Sequence, residues 1–198
     1  MARIIGITGG IASGKSTVTE FLRQQGYQVI DADQVVHDLQ EPGGRLYQAL
    51  LSAFGPAILQ EDGRLDRPKL GAMIFGNPEL MARSSQIQNR IIREELAGRR
   101  GLLAEKEDIF FMDLPLLFEL QYEDWFDQIW LVDVTEETQL SRLMSRNALS
   151  QEEAEKRIAA QLSLREKRKR ADVLIDNNGS LEETRQQIRD ALKKLERS

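Results

Sequence analysis

The sequence is most constrained by a glycine-rich phosphate-binding motif near its N-terminus. The chain reads Gly9-Gly10-Ile11-Ala12-Ser13-Gly14-Lys15-Ser16, which fits the pattern G-x-x-x-x-G-K-[ST] at every required position. A short apolar run, Arg3 to Thr8, precedes the motif, and Ser16 to Gln25 carries apolar residues at helical spacing. Strand, loop and helix therefore follow one another as a phosphate-binding loop (P-loop) requires.

A loop of this kind binds phosphates through its backbone. Glycines let the chain curl so that successive N–H groups point inward, and the following helix adds its positive N-terminal end. We predict that Lys15 bridges the β- and γ-phosphates of ATP and that the Ser16 hydroxyl ligates Mg²⁺. A glycine-rich turn without a ligand is the alternative, but a chance match is on the order of one in a hundred for such a chain. The predicted ATP-binding residues of the loop are Gly10, Ile11, Ala12, Ser13, Gly14, Lys15, Ser16 and Thr17.

Four further apolar runs predict more strands of the same sheet. The run Gln28 to Asp31 follows the first helix, so the chain opens with a βαβ unit and a parallel sheet is expected. The runs Ile109 to Met112, Ile129 to Val132 and Val173 to Ile175 have the composition of buried strands. The sequence therefore predicts an α/β fold of the P-loop NTPase type, with three layers (α/β/α) around a five-stranded parallel sheet.

Two helical segments interrupt the predicted nucleotide-binding core, which comprises residues 1–33, 105–144 and 172–198. Residues 34–104 show helical patterns broken by turn signals and are too many for one crossover, so we predict a helical insertion that binds the acceptor. Residues 145–171 hold few large apolar side chains and many charges. Such a segment packs weakly and moves easily, so we predict a helical lid there.

The charge balance limits the partners of the chain. With 27 basic and 32 acidic residues the net charge is −5, which argues against nucleic acid or an anionic membrane as a partner. A basic cluster in the predicted lid is interleaved with glutamates, and it is either a solvated helix face or a local set of cations for a polyanionic ligand. The cluster consists of Arg165, Lys167, Arg168, Lys169 and Arg170.

Cysteine is absent from the sequence. Disulfides and thiolate metal sites are therefore excluded, and the composition fits a reducing cytoplasm. The apolar start Ile4 to Ile7 is too short and too broken by glycine for a signal peptide or a membrane span. We expect a cytoplasmic protein.

Three aspartates at predicted strand ends are candidates for the chemistry. Asp31 and Asp33 follow the second strand, and if the extended conformation persists their carboxylates point the same way. This strand end opens onto the ligand crevice of a doubly wound sheet. One carboxylate is expected to orient the acceptor hydroxyl or take its proton, while the other caps a helix or organises water around Mg²⁺. Asp113 ends an apolar run and resembles a Walker-B acid that holds Mg²⁺ through water, with a plain turn residue as the alternative for all three.

These features favour a kinase of small metabolites over a GTPase. A GTPase needs a guanine-specificity motif N-K-x-D, which the sequence lacks. A metabolite kinase needs an acceptor-binding insertion, an acid near a strand end and cations that close on the transferring phosphoryl group. Arg142 and Arg146 are the candidate cations, because closure of the lid would bring one of them to the phosphates.

Several sequence motifs, taken in order, resemble those of one family. The three main motifs are the P-loop from Thr8 to Ser16, then Asp31-Ala32-Asp33, then Pro115-Leu116-Leu117-Phe118-Glu119. Together they resemble the motifs of the dephospho-CoA kinases. The resemblance covers nearly the whole chain. Further matches are Glu41-Pro42-Gly43, Asp62 to Leu65, Ile74-Phe75, Gln139 to Arg146, Gln161, Ala171-Asp172 and Ile175 to Asn177.

The resemblance implies a reaction and assigns roles to residues. Enzymes of this family phosphorylate the ribose 3′-hydroxyl of dephospho-CoA with Mg-ATP, in the last step of coenzyme A synthesis. The insertion would bind dephospho-CoA. Asp33 would be the base or the hydroxyl-orienting residue, and Lys15 and Arg142 would be the cationic stabilisers. Acceptor binding is then expected from Thr8, Asp31, Asp33, Pro115 and Leu116, further ATP binding from Arg142, Arg146 and, near the adenine, Asn177, and metal binding from Ser16 and Asp113.

The sequence departs from the family pattern in the insertion. Where His-Pro is expected before an isoleucine, the chain has Asn89-Arg90-Ile91, so a substrate role for that histidine does not transfer. Two alternatives to the family function stay open at this point: a kinase of nucleoside monophosphates or shikimate, and a non-enzymatic ATP-binding regulator. The acceptor-side Asp33 argues against the regulator, because nucleotide binding alone does not need it.

Overall fold

Five apolar strands form one sheet in the computed structural model, which describes residues 2–197. The strands run parallel, and their order across the sheet is β2-β3-β1-β4-β5. The predicted five-stranded parallel sheet is confirmed. The strands are β1 (Arg3–Gly9), β2 (Val29–Asp31), β3 (Ile109–Asp113), β4 (Gln128–Asp133) and β5 (Val173–Asp176).

The central strand β1 is buried almost from end to end. Its Ile5 pairs with Phe111 on β3, and its Ile7 pairs with Trp130 on β4. All four side chains are fully buried. Parallel strands covered on both faces read as continuous apolar runs rather than as alternating patterns, which is why these strands could be located from the sequence.

The helices and strands divide into two units along the chain. One unit contains the chain up to Ile30 and from Leu103 onward, and the other is the continuous stretch Asp31–Leu102. The helices are α1 (Lys15–Gln24), α2 (Ala32–Gln40), α3 (Arg45–Phe54), α4 (Arg67–Ile74), α5 (Pro78–Ala104), α6 (Glu136–Asn147), α7 (Gln151–Ala159), α8 (Leu164–Arg168) and α9 (Leu181–Arg197).

The first unit is built on the sheet. Helices α1 and α9 contact each other and the sheet, and their apolar faces close one hydrophobic cluster with β1, β3, β4 and β5. Full burial of each large apolar side chain contributes roughly 1.5–3 kcal/mol. A capping box starts α9, because Glu183 N–H donates to Ser180 Oγ (3.3 Å) and Ser180 N–H donates to the Glu183 carboxylate (2.7 Å).

The second unit is helical and contains its own buried side chains. Turn residues end and begin its helices where the sequence predicts breaks, and Asn77 shows how. Its side-chain oxygen accepts hydrogen bonds from the N–H groups of Glu79 and Leu80, both at 3.1 Å, at the start of α5. The buried side chains include Leu46, Leu50, Ile58, Leu70 and Leu96. The predicted boundaries of the core, the insertion and the lid stay predictions.

No helix within residues 2–197 is long and apolar enough to cross a membrane.

Candidate active site

The P-loop lies between the end of β1 and the start of α1, as predicted from the motif. Gly14 precedes α1 with a φ of +86°, a conformation that glycine adopts without strain. A Cβ atom at this position would lie 2.2 Å from the side-chain nitrogen of Asn177. Both the backbone angle and the close approach therefore require glycine there.

Lys15 and Asp113 form an ion pair beside the P-loop. The Lys15 ammonium lies 3.2 Å from Asp113 Oδ1, and both side chains are mostly buried. Strand pairing explains the approach, because Asp113 ends β3 opposite Ile7 of the neighbouring strand β1. The sequence predicted an acid at this strand end, and the structure places it against the P-loop lysine.

The residues predicted to hold Mg²⁺, Ser16 and Asp113, are two in number. Ser16 is exposed at the start of α1, and the carboxylate of Asp113 is paired with the Lys15 ammonium at 3.2 Å. Residues 2–197 contain no group of three or more His, Asp or Glu side chains that could hold a metal alone. This donor set fits Mg²⁺, which proteins usually bind through one or two residues together with waters and substrate phosphates.

Three amide side chains hold the backbone of the P-loop. Asn177 is buried, and its Nδ2 donates to the Ser13 carbonyl at 2.8 Å. Gln139 Nε2 donates to the Ile11 carbonyl at 2.9 Å, while the Ile11 N–H donates to Gln161 Oε1 at 2.9 Å. Sequence reasoning missed these contacts, and the only signal for them lies in the family motifs, which contain all three residues. The predicted place of Asn177 near the adenine stays a prediction.

Arg142 is the arginine of α6 that lies at the P-loop. Its guanidinium donates to the Asn177 carbonyl at 2.9 Å, and its Nη1 lies 3.8 Å from the position of a Cβ on Gly14. Arg146 follows one helical turn later on the same face. It is exposed, and its Nε donates to the Asn147 side chain at 3.0 Å. Of the two predicted cations, the structure brings Arg142 to the loop.

The turn after β3 contacts the end of β1. The hydroxyl of Thr8, which is fully buried, donates to the Pro115 carbonyl at 3.3 Å. Leu116 beside it is partly exposed. The structure therefore joins Thr8 and Pro115, and their predicted contact with the acceptor stays a prediction.

The two aspartates after β2 do not share one extended strand. The strand ends at Asp31, whose carboxylate accepts a hydrogen bond from Gln34 N–H and caps α2. Asp33 lies exposed in the first turn of that helix. The expectation that both carboxylates point the same way from an extended chain is wrong, because the N-cap at Asp31 starts the helix. The alternative, that one aspartate caps a helix, is confirmed.

The basic cluster is not a solvated face throughout. Lys167 is fully buried, with its ammonium 2.9 Å from Glu119 Oε1. Arg168 donates to Asp133 at 2.7 Å, and this hydrogen bond raises the pKa of the guanidinium. Arg170 stacks 4.6 Å from the Phe118 ring. The predicted lid is therefore anchored at its C-terminal part, and the interpretation of the cluster as a solvated face is wrong for Lys167.

The loop, the sheet and the arginine of α6 define the class of the protein: it is a P-loop kinase. The shikimate kinase from Aquifex aeolicus shares the fold, with a TM-score of 0.53 at 17% identity over 98% of this chain and 96% of that one.

Closer comparisons give the family. The family described as dephospho-CoA kinase matches residues 3–183, and the chain belongs to that family. A dephospho-CoA kinase from Streptococcus mutans is 60% identical over 196 residues, which cover 99% of each chain, and one from Streptococcus pyogenes is 62% identical over 97% of this chain and 98% of that one.

Solved structures agree with this assignment. A crystal structure of a protein from Thermus thermophilus has a TM-score of 0.83 at 36% identity and covers 98% of both chains. A dephospho-CoA kinase from Campylobacter jejuni has a TM-score of 0.68 at 27% identity, over 98% of this chain and 97% of that one. The chain is thus an ATP-dependent kinase that phosphorylates dephospho-CoA in coenzyme A synthesis, and both alternatives left open by the sequence are set aside.

Proposed function

We propose that the P-loop, Lys15 and Arg142 transfer the γ-phosphoryl group of Mg-ATP to the ribose 3′-hydroxyl of dephospho-CoA, which Asp33 orients. The observation that carries this proposal is the arrangement of charges around the P-loop. Lys15 is paired with Asp113. Arg142 is hydrogen-bonded to Asn177, whose side chain binds the loop backbone. Fixed charges of this kind stabilise a transferring phosphoryl group without reorganising during the reaction.

Lys15 is proposed to serve the β- and γ-phosphates. Its ammonium is a compact point charge with three donors, and Asp113 holds it beside the loop. Phosphate oxygens would replace Asp113 as its partners. Ser16 and Asp113 are the residues that would hold Mg²⁺, which when bound neutralises negative charge on the phosphates.

Arg142 is proposed to stabilise the charge of the transferring group. Its guanidinium is fixed by the Asn177 carbonyl, and the side chain of Asn177 also holds the Ser13 carbonyl of the loop. One residue therefore sets the position of both the cation and the loop. Arg146 is proposed to join when the lid closes, since it occupies the same face of α6 and is exposed.

Asp33 is proposed to act on the acceptor. A ribose hydroxyl is a weak nucleophile at neutral pH, and a carboxylate that orients it and accepts its proton favours the transition state. The exposure of Asp33 in the first turn of α2 leaves the carboxylate accessible to a substrate. Thr8, Asp31, Pro115 and Leu116 are proposed to line the acceptor site, residues 34–104 to form the acceptor-binding insertion, and 145–171 to form the lid. A cytoplasmic location is proposed because the sequence lacks cysteine.

An acceptor competition tests this proposal. The purified protein would be given ATP and Mg²⁺ with dephospho-CoA, a nucleoside monophosphate or shikimate, and product would be identified by mass and by the position of the new phosphate. Phosphate on the ribose 3′-oxygen of dephospho-CoA alone is expected, and chelation of Mg²⁺ should abolish it. Phosphorylation of another acceptor at a comparable kcat/KM would overturn the proposed specificity.

A further inference from the structure

Lys167 is a buried lysine at the base of the P-loop. Its side chain has no exposed surface, and its ammonium lies 2.9 Å from Glu119 Oε1, 3.2 Å from the Pro115 carbonyl and 3.4 Å from the Gly9 carbonyl. An ammonium group has three donors, and three acceptors surround this one. Gly9 is the first residue of the P-loop motif, so the ammonium connects the start of the loop to the turn after β3.

The residues just before Lys167 contact the same region. The Leu162 N–H donates to Glu119 Oε1 at 2.9 Å, so one carboxylate oxygen binds both Leu162 and Lys167. Gln161 Oε1 accepts the Ile11 N–H of the P-loop at 2.9 Å. Residues 161–167, here called the bracing segment, therefore hold the P-loop at Gly9 and again at Ile11.

The Ile11 peptide is fixed from both sides. Its N–H is bound by the bracing segment, and its carbonyl accepts from Gln139 Nε2 of α6 at 2.9 Å. Gln139 is itself buried, and a Cβ atom on Gly10 would lie 2.4 Å from its nitrogen. A glycine-rich loop is costly to order because its chain has many accessible conformations. External hydrogen bonds that order it in advance reduce the cost at the moment of binding.

Lys167 is fully buried although its side chain carries a charge. A buried charge is strongly unfavourable unless it is paired and hydrogen-bonded, and an apolar residue would fill the same volume without that requirement. The ammonium is kept where it can reach two backbone carbonyls that belong to different parts of the site. Its position suits the alignment of those two chain segments rather than packing alone.

We infer that the bracing segment positions the P-loop for phosphoryl transfer. Gln161 fixes the Ile11 peptide, and Lys167 with Glu119 fixes the segment to the core of the first unit. All three are positioning residues, because they act through the loop backbone. The inference rests on the proposed function, since it takes the P-loop as the site that binds the phosphates of ATP.

The substitution Gln161→Met tests the inference. It removes the acceptor of the Ile11 N–H and keeps the length of the side chain. We expect ATP affinity by calorimetry to fall about 10-fold, since one hydrogen bond that orders the loop is lost. We expect kcat to fall by about 10–100-fold, because a small displacement of aligned groups has a large effect on rate. The Ile11 amide, followed by NMR, should exchange faster while the midpoint of thermal unfolding stays near that of the wild type.

A matched control is Gln186→Met on α9. Gln186 is exposed, and its side chain bonds Asp190 and Arg189 of the same helix, both at 3.1 Å. It should leave ATP affinity, kcat and Ile11 exchange unchanged. If Gln161→Met behaves like this control in all three measurements, the inference is wrong.

The second variant concerns Lys167, whose single replacement would leave the partly buried carboxylate of Glu119 without its cation. The double substitution Lys167→Met with Glu119→Gln removes both charges. It should stay folded and reproduce the loss of ATP affinity and the faster Ile11 exchange, whereas wild-type values in a folded double variant would contradict the anchoring role. Turnover of dephospho-CoA by the wild-type protein, measured in parallel, tests the proposed function separately. If the wild-type protein does not phosphorylate dephospho-CoA, the proposed function is wrong, while ATP affinity and amide exchange still decide the inference.

Discussion

Lys15, at the start of α1, forms an ion pair with Asp113, at the end of β3. The effects expected of a substitution at Lys15 follow from this pair and from the charge of the lysine. We expect Lys15→Ala to lower kcat by about 10³-fold or more, because electrostatic stabilisation is the main term in phosphoryl transfer. The variant should fold but lose some stability, since Asp113 is mostly buried and its lysine partner is gone. Coenzyme A formation and thermal unfolding would be measured on the same preparation.

Lys193→Ala is the control for that change. Lys193 is exposed on α9 and pairs with the exposed Asp190 at 3.6 Å, and an exposed pair of this kind contributes little to stability. The control should keep wild-type turnover. Turnover at the wild-type level in folded Lys15→Ala would show that the P-loop lysine has been assigned the wrong role.

The proposed role of Asp33 on the acceptor makes it a test of phosphoryl transfer apart from nucleotide binding. We expect Asp33→Asn to lower turnover by roughly 10²–10⁴-fold, because the substitution keeps the shape but removes the charge that takes the proton. ATP affinity should change little, since the proposed role is on the acceptor. Stability should fall slightly, because an acid in the first turn of α2 interacts favourably with the helix dipole.

The control for Asp33 lies on the same helix. Asp38→Asn removes a carboxylate that is exposed and paired with Arg99 at 3.4 Å, and turnover should be unaffected. Calorimetry with ATP and a coenzyme A assay would be run for both variants. Loss of ATP binding in folded Asp33→Asn would place that residue in the Mg-ATP site instead.

Among the helices, α7 has the fewest anchors in the predicted lid. Only Ala154 of α7 is buried, whereas α8 contains the buried Leu164 and Lys167. We therefore expect motion to concentrate in Gln151–Ala159 and to stop before Leu164. Hydrogen exchange measured with and without both substrates should show α7 gaining protection while α8 changes little. Equal protection of α7 in the two states would remove the lid.

The start of α9 depends on an ionised carboxylate. The Ser180 N–H and then its hydroxyl hold the pKa of Glu183 below its ordinary value. Because the folded pKa is below the unfolded one, the carboxylate stabilises the fold above the unfolded pKa, and this contribution is lost as the pH falls through the folded value. We expect Glu183→Gln to lower the free energy of unfolding at neutral pH and to match the wild type in acid. Urea unfolding over a pH series checks this, and a difference that does not vary with pH would contradict it.

At the level of these elements, structure that depends on local sequence patterns could be predicted, whereas contacts between residues distant in the chain could not. The strands and the P-loop could be predicted because each is a continuous run of residues with one composition. The hydrogen bonds that hold Ile11 could not, because Gln139 and Gln161 lie 128 and 150 residues away in the chain. The burial of Lys167 could not be predicted either, for a related reason. A lysine inside a charged run has the composition of a surface helix, and its burial depends on contacts with Glu119, Pro115 and Gly9, which are distant in the chain.

Across the whole molecule, the sheet was predictable in strand number and direction, since a βαβ opening and fully apolar runs favour parallel pairing. The helical character of Asp31–Leu102 was predictable from its turn signals. The start of α2 was not settled by the sequence, because Asp31 is suited both to a strand end and to a helix N-cap. The structure decides for a cap, and Asp33 therefore presents its carboxylate from a helix.

The position of β3 between β2 and β1 affects how the protein is made. A ribosome releases β1 and β2 first, then the continuous unit Asp31–Leu102, and only afterwards the strand that joins the first two. The nascent N-terminal segment therefore waits, with its apolar strand unpaired, until translation has passed Asp113 and then Asp133. Unpaired apolar strands are sites of aggregation and of chaperone binding. The sheet is complete only after translation has passed β5 (Val173–Asp176), so slow translation of the middle of the chain would lengthen the period of exposure.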